Sequence, residues 1–390
     1  MSSHRRTVAA ATLAALSLLA AACSSSGSGS GGDTFKFGAM IPLSGPDSAL
    51  GTQDQQAVDL ALSKLNSGKT LGSTKLSVVY RDSPGTAETA VTDFQKLTTI
   101  DHVSFSFTSF SSATTAVAPL AATSKVVLLN AGATTSEFRG MSPYLFSSIP
   151  LGDQQAAAML DYTKKTLNKS SLAAIYSNDA QGSDFKKQIT ADWRKLGGNY
   201  AGGVTVSTSQ TDFGPAIAQL KSMHPEAVYL GLFGSGQGDI IKQATAAGLH
   251  TTWLGSTSFD NEGALKIAGS AANGVYSTQV QAAHSQDAQD FVAAYKKKYG
   301  SAPSSFAELI YSGVEVLGQV IQTLHKQKKD LTGSNIRTAM LGQTFHTVTG
   351  DLKFSNDGTV QVPIQITLYR NGSFASQGQY VNGAFSKAAS

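Results

Sequence analysis

The stretch that decides the fold is Val103-Ser-Phe-Ser-Phe107, followed by Thr108-Ser-Phe-Ser-Ser-Ala-Thr-Thr115 and Ala116-Val-Ala-Pro-Leu-Ala-Ala-Thr-Ser124. The first segment alternates apolar and small polar residues, as a β-strand does, and the Ala-rich last segment predicts a helix with a kink at Pro119. The hydroxyl-bearing middle segment therefore lies where a strand ends and a helix begins. Free backbone N–H groups and the positive end of the helix dipole meet at such a point, which suits an anion such as a carboxylate.

A second predicted strand follows at once and ends in a similar way. Lys125-Val-Val-Leu-Leu129 runs into Asn130-Ala-Gly-Ala-Thr134. Because the carboxyl ends of neighbouring parallel strands face one crevice, small and hydroxyl-bearing residues at both ends are candidates for ligand binding. The candidates are Ser109, Ser111, Ser112, Gly132 and Thr134. The alternative, in which Ser111 or Ser112 only caps the helix and binds nothing, stays open.

The remainder of the chain repeats the alternation of strands and helices. With 390 residues and 41% apolar content, the chain can bury one large core or two medium-sized ones, and two domains are expected. The pattern predicts an α/β fold of two doubly wound parallel-sheet lobes joined by three crossovers, which would allow the lobes to hinge. Ile364–Tyr369 followed by Asn371-Gly372 predicts a β-hairpin near the end. The expected lobes are 35–150 plus 278–345 for the first, and 151–277 plus 346–385 for the second.

The N-terminus predicts export and a membrane anchor. Residues 1–22 combine two arginines with an apolar segment too short to span a bilayer, as a signal peptide does. Leu19-Ala-Ala-Ala-Cys23 resembles a bacterial lipobox, and residues 23–34 would then be a lipidated Cys23 and a Ser/Gly tether. We therefore expect an extracytoplasmic protein, lipid-anchored to the surface of the bacterial cell membrane. The alternative is an ordinary secretory signal peptide with an incidental cysteine.

Several classes of function lack support in the sequence. The net charge is +4, without a basic stripe interleaved with aromatics, so no nucleic-acid partner is predicted. The histidines are scattered singly, without metal-ligand spacing, so we predict no metal site. The Gly-Ser-Gly-Gln-Gly segment at 234–238 lacks dinucleotide-loop spacing because Asp239 occupies the third glycine position. We predict a binding protein without a cofactor, and not an enzyme.

Short motifs, each weak alone, follow one another in a specific order along residues 35–380. They are Gly38-Ala-Met-Ile-Pro-Leu-Ser-Gly-Pro46, Ser111-Ser-Ala-Thr-Thr115, Ala131-Gly-Ala-Thr134, Ile175-Tyr-Ser-Asn-Asp-Ala-Gln-Gly182, Pro225-Glu-Ala-Val-Tyr-Leu-Gly231 and Gly350-Asp-Leu-Lys-Phe354. In this order they resemble the type I periplasmic binding proteins, in the branched-chain amino acid group that serves ABC transporters. The resemblance implies two lobes that close on a ligand in the manner of a Venus flytrap, a monomer, and an ABC permease and ATPase as partners.

The resemblance also implies a site. In members that bind amino acids, a serine at the position of Ser111 holds the α-carboxylate together with residues at Gly132 and Thr134. The second lobe then adds Gln181, Phe233 and Thr257 around the ligand.

The acid that meets the ammonium group in such members is replaced here by Thr257, and an ammonium buried without a carboxylate is costly. Leu50 stands where an aromatic is common, and Gln181 stands where a tyrosine is usual. We therefore expect a ligand that is a small carboxylate or amide metabolite, with standard branched-chain amino acids less favoured. The expected role is capture of this ligand for an ABC importer. A lipid-anchored ligand sensor and a structural lipoprotein with an inactive cleft are the alternatives.

Overall fold

The computed structural model describes residues 33–280, 285–381 and 383–387. The predicted signal peptide, Cys23 and the Ser/Gly tether lie outside these residues. From Thr34 onward the chain forms one compact unit. Within the described ranges, no helix combines the length and the apolar character that crossing a membrane requires.

The first sheet is parallel throughout, in the order β2-β1-β3-β4-β5. Its elements, with the helices that connect them, are β1 (Thr34–Ile41), α1 (Ser48–Ser67), β2 (Lys75–Asp82), α2 (Ala87–Thr99), β3 (Phe105–Thr108), α3 (Ser111–Ser124), β4 (Val127–Asn130) and β5 (Leu145–Ser147). The chain then enters the second lobe through α4 (Gly152–Lys165), β6 (Ser171–Ser177), α5 (Ala180–Lys195), β7 (Asn199–Val206), α6 (Gly214–Ser222), β8 (Ala227–Gly231), α7 (Gly236–Ala246), β9 (Thr252–Gly255), α8 (Glu262–Ala268) and β10 (Tyr276–Val280).

The last part of the chain contributes to both lobes. It comprises α9 (Gln286–Tyr299), α10 (Ser305–Lys326), α11 (Gly333–Leu341), β11 (Phe345–Thr347), β12 (Gly350–Leu352), β13 (Ile364–Arg370), β14 (Ser373–Val381) and β15 (Ala384–Lys387). The second sheet has the order β15-β14-β13-β10-β9-β8-β6-β7. Strands β6 to β10 pair in parallel, and β13 to β15 extend the sheet antiparallel. The predicted hairpin is confirmed as β13–β14, with Asn371 and Gly372 both at positive φ in its turn.

Strand β3 lies at the centre of the first lobe and is buried on both faces. Phe37, Phe105 and Phe107 meet edge to face, with ring centroids 5.3–6.4 Å apart. On the other face, Ser106 and Thr108 are also fully buried, because helices cover both sides of a parallel sheet. The alternating pattern of this strand therefore reflects two buried faces, one with large aromatic side chains and one with small polar side chains. The predicted helix that follows continues through Pro119 to Ser124.

Two predicted lobe boundaries are wrong. The third crossover was expected at 346, but Phe345, Leu352 and Phe354 pack in the core of the first lobe. The Phe354 ring lies 5.4 Å from that of Phe146 and 5.8 Å from that of Phe345. Burial of these aromatics keeps the chain in the first lobe through Val360, after which it crosses to β13. The second crossover follows β10, so residues 278–280, expected in the first lobe, belong to the second sheet.

Candidate ligand-binding site

A small cavity lies between the lobes, at the carboxyl edge of the first sheet. In this conformation its volume is about 10 Å³, room for a single water molecule. The first lobe supplies most of its lining, and Phe233, just after β8, comes from the second lobe. The full lining is Leu50, Asp54, Ser109, Phe110, Ala131, Gly132, Phe233, Phe306 and Ile310. Four of the residues predicted from the sequence therefore meet here: Leu50, Ser109, Gly132 and Phe233.

Three phenylalanines form an aromatic wall across the interlobe cleft. The Phe233 ring stands edge to face with Phe110 at 5.6 Å and with Phe306 at 5.9 Å. Phe110 precedes α3 and Phe306 lies in the first turn of α10, so both belong to the first lobe. Closure of the second lobe thus brings the ring of Phe233 between those of Phe110 and Phe306. Such a group of aromatic rings favours an apolar or cationic ligand group nearby.

The segment after β4 is held by the buried side chain of Asn130. Its Oδ1 accepts hydrogen bonds from the backbone N–H groups of Gly132 at 3.2 Å and Ala133 at 2.7 Å. A Cβ atom at Gly132 would lie 3.0 Å from the carbonyl oxygen of Ser109, so a glycine lets the two strand ends approach. Gly132 is therefore at the cavity, but its N–H already has a partner.

The start of α3 keeps its capacity to bind an anion. Phe110 is the N-cap residue, so neither Ser111 nor Ser112 caps the helix with its side chain. The Ser111 side chain is buried, and its Oγ has no hydrogen-bond partner among the described residues. Ser112 is half-buried at the next position. Although neither serine lines the cavity, a buried hydroxyl without a partner beside a free helix start is consistent with a ligand-binding role.

Thr134 and Gln181 face each other across the lobes. The Gln181 side-chain amide donates to Thr134 Oγ1 at 3.3 Å, and both residues are buried. Nearby, Ser136 donates from its N–H to Asp184 at 2.7 Å and from its hydroxyl at 2.5 Å. These predicted residues thus lie in the interlobe contact beside the cavity and do not line it.

Thr257 does not line the cavity as predicted. Its backbone N–H and its hydroxyl both donate at 3.0 Å to Oε1 of Gln155, which also accepts from the Thr278 hydroxyl at 2.9 Å. The side-chain amide of Gln155 donates in turn to the Pro150 carbonyl at 2.8 Å. Both hydrogen-bond donors of Thr257 are therefore used by Gln155, whose fully buried side-chain carbonyl requires donors.

Asp54, an acid that was not predicted from the sequence, lines the cavity. Asp54 is only 2% exposed, and its Oδ1 has no hydrogen-bond partner in the described part of the chain. Burial alone raises the pKa of its carboxyl group to about 8. The signal was present, since Asp54 follows Leu50 by four residues on the α1 face that also carries Val58 and Ala61. A lone acid on an apolar helix face is uncommon without a reason.

Asp260, another acid at the contact between the lobes, already has hydrogen-bond partners. Its carboxylate accepts hydrogen bonds from the Ser305 N–H at 3.0 Å and the Ser305 hydroxyl at 2.6 Å, across the lobes at the start of α10. Asp260 therefore does not take the place of the acid missing at Thr257.

Comparison with known proteins identifies the family. The model of the periplasmic binding protein family matches residues 34–373. A Leu/Ile/Val-binding protein homolog from Brucella melitensis is 25% identical over 326 residues, covering 81% of this chain and 88% of that protein.

Two crystal structures share the fold. The branched-chain amino acid transporter substrate binding protein LivJ from Streptococcus pneumoniae, in complex with isoleucine, has a TM-score of 0.81 at 22% identity, covering 91% of this chain and 100% of that one. An ABC transporter solute binding protein from R. palustris, in complex with benzoate, has a TM-score of 0.81 at 20% identity, covering 89% and 96%. Both contain the two α/β lobes described above.

Members of this family are extracytoplasmic binding proteins, which confirms the expectation that the chain is not an enzyme. The match covers both lobes and all three crossovers between them. The chain belongs to the periplasmic binding protein family, with the type I fold.

Proposed function

We propose that this protein is the substrate-binding component of an ABC importer and captures a small metabolite by closing its two lobes. The observation that carries the proposal is the interlobe cavity, in which Phe233 of the second lobe packs against a surface of the first lobe. The relatives support the role, since two solved structures with this fold are described as a transporter substrate binding protein and an ABC transporter solute binding protein.

The proposed mechanism follows from the division of the lining residues. Since the first lobe supplies all of the lining except Phe233, the ligand docks there first. A carboxylate of the ligand takes the start of α3, where Ser111 offers its hydroxyl. The second lobe then rotates inward, Phe233 covers the ligand, and the Ser136–Asp184 contact holds the lobes together. The closed surface is what an ABC permease would recognise.

The ligand class in this proposal is an amino acid or a related small carboxylate or amide. Isoleucine and benzoate, the ligands of the two crystal structures above, are both small carboxylates with an apolar body. The apolar residues that line the cavity here, Leu50, Ile310 and the three phenylalanines, match the apolar character of such a body. We further propose that lipidation of Cys23 anchors the protein to the outer face of the cell membrane, with a monomer as the working form.

The experiment is thermal unfolding of residues 33–390 with a panel of amino acids, aliphatic and aromatic carboxylates, and amides. A compound at a hundred times its dissociation constant stabilises the folded state by about 2.7 kcal/mol, a clear rise in melting temperature. Phe233→Ala should abolish the shift. The control is Phe385→Ala, which removes a half-buried ring that packs on Tyr162 outside the cavity. No shift with any compound would contradict ligand capture.

Uptake separates transport from sensing. Cells that lack the gene should lose import of the compound that shifts the melting temperature. Undiminished import would instead favour the ligand sensor.

A further inference from the structure

One acid in the cavity has no role in the function proposed above. Asp54 is the one acidic residue among those lining the cavity, and it lies on α1 one turn after Leu50. Phe306 and Ile310 of α10 also line the cavity. A carboxylate surrounded by such residues is costly unless it meets a partner.

The protein itself does not supply that partner in the part that the structure describes. Asp54 Oδ1 receives no hydrogen bond, and none of the described ion pairs includes this residue. The titratable groups coupled to Asp54 are Tyr80 on β2 and Tyr295 on α9. Burial raises the pKa of both phenols, so both stay neutral near pH 7. The other residues that line the cavity carry no charge.

We propose that Asp54 is the countercharge for a protonated amine on the ligand. This inference rests on the proposed function and narrows its ligand class to compounds that carry a cationic N–H donor. Charged N–H groups make strong hydrogen bonds to carboxylates. The rings of Phe110, Phe233 and Phe306 around the same cavity favour a cation further.

The acid proposed to meet the amine lies in the first lobe, whereas the family resemblance implied an acid in the second lobe. Thr257, at the position where the family resemblance implied an acid, is bound to Gln155, and Asp260 is bound to Ser305. Asp54 therefore offers the carboxylate that these two positions do not. An amine bound to α1 would contact the ligand-docking lobe before closure.

Proton linkage gives this assignment a measurable signature. Since burial raises the pKa of Asp54 to about 8, the group is mostly protonated in the ligand-free closed protein at pH 6–7. A cation binds the ionised form, so binding releases a proton. The affinity should then rise by up to about tenfold per pH unit between pH 5 and 7. A ligand that accepts a hydrogen bond from the protonated acid would lack this rise.

The test uses two matched sets of three compounds. The first is leucine, 4-methylpentanoate and 3-methylbutylamine, and the second is phenylalanine, 3-phenylpropanoate and 2-phenylethylamine. Each set separates the amine from the carboxylate on one carbon skeleton. Binding is measured by titration calorimetry at pH 5, 6 and 7, with wild type, Asp54→Asn and Asp330→Asn. Asp330 is the control, because it is an exposed acid in the loop before α11.

The expected result is that wild type binds amine-bearing compounds, with affinity rising as the pH rises. Asp54→Asn should weaken their binding by about 30-fold or more and remove the pH dependence, whereas Asp330→Asn should change neither. Circular dichroism and the melting temperature without ligand verify that each variant is folded.

Three other results would overturn the inference. Binding of the amine-free carboxylates alone, equal in wild type and Asp54→Asn, would remove Asp54 from ligand recognition and leave the proposed function intact. Equal binding of the amines to both proteins would do the same. No binding of these six compounds, together with silence across the wider panel, would overturn both proposals.

Discussion

Replacing Asp54 with asparagine should stabilise the ligand-free protein, and the gain should increase with pH. In the folded state burial raises the pKa of Asp54 to about 8, from an ordinary value of 3.8. An acid whose pKa is raised on folding binds more protons in the folded state than in the unfolded state. Its contribution to stability therefore decreases as the pH rises from about 4 to 8. Asparagine has nearly the same shape and does not titrate.

The magnitude follows from the proton linkage. Between pH 5 and 7, both values lying between the two pKa values, the folded state holds nearly one proton more than the unfolded state. The free energy of unfolding then falls by about 1.4 kcal/mol per pH unit, or ~3 kcal/mol over this interval. The asparagine amide is also buried without a described partner, but its cost does not depend on pH. The difference between the two proteins should thus grow by ~3 kcal/mol from pH 5 to pH 7.

Urea unfolding of residues 33–390, followed by circular dichroism at pH 5, 6 and 7, measures this difference. Asp330→Asn serves as the control for a general effect of removing one negative charge, since Asp330 is exposed. The free energy of unfolding of this variant, plotted against pH, should run parallel to that of wild type. Parallel curves for wild type and Asp54→Asn would refute the reasoning, because they would mean that Asp54 is paired or hydrated in the folded protein.

Three further predictions concern the ligand and the anchor. Ser111→Ala should weaken ligand binding by about 1–3 kcal/mol in calorimetry yet leave the ligand-free melting temperature unchanged or slightly higher, because the Ser111 hydroxyl has no described partner to lose. An unchanged dissociation constant would exclude this hydroxyl from the site. Asp184→Ala removes the acceptor for both Ser136 hydrogen bonds, so it should raise the ligand dissociation rate in stopped-flow measurements, whereas an unchanged rate would mean that this contact does not hold the lobes closed. Cys23→Ala should move the full-length protein from the membrane fraction to the soluble fraction and abolish labelling with radioactive palmitate, while persistent labelling would disprove lipidation at this cysteine.

The sequence predicted the fold well because periodic patterns report on burial. The strands and helices of both lobes recur at the expected places, and Asn371-Gly372 correctly predicted a hairpin turn. The lobe boundary at 346 was wrong because the switch from helix to strand after α11 says nothing about which core the strand joins. Only the packing of Phe345 and Phe354 against Phe146 decides that point.

The site was predictable in part, for a related reason. Ser109 and Gly132 stand at strand ends, and sheet topology brings strand ends together. Asp54 and Phe306 lie inside helices that look like ordinary core elements, and their position at the cavity depends on how α1 and α10 pack. Thr257 was assigned by family position, and the sequence could not show that Gln155, more than a hundred residues away, would take its hydroxyl.

The hydrogen bonds of Gln155 bear on how the molecule moves. One side chain joins Pro150, on the first crossover, to Thr278, on the strand that leads into the second. Two of the three connections are therefore joined through this side chain, and we expect their backbones to rotate together. The third connection, after Val360, would follow their motion. Opening would then be a rotation about a single axis, and stiffness at this glutamine would set how far the cleft can widen.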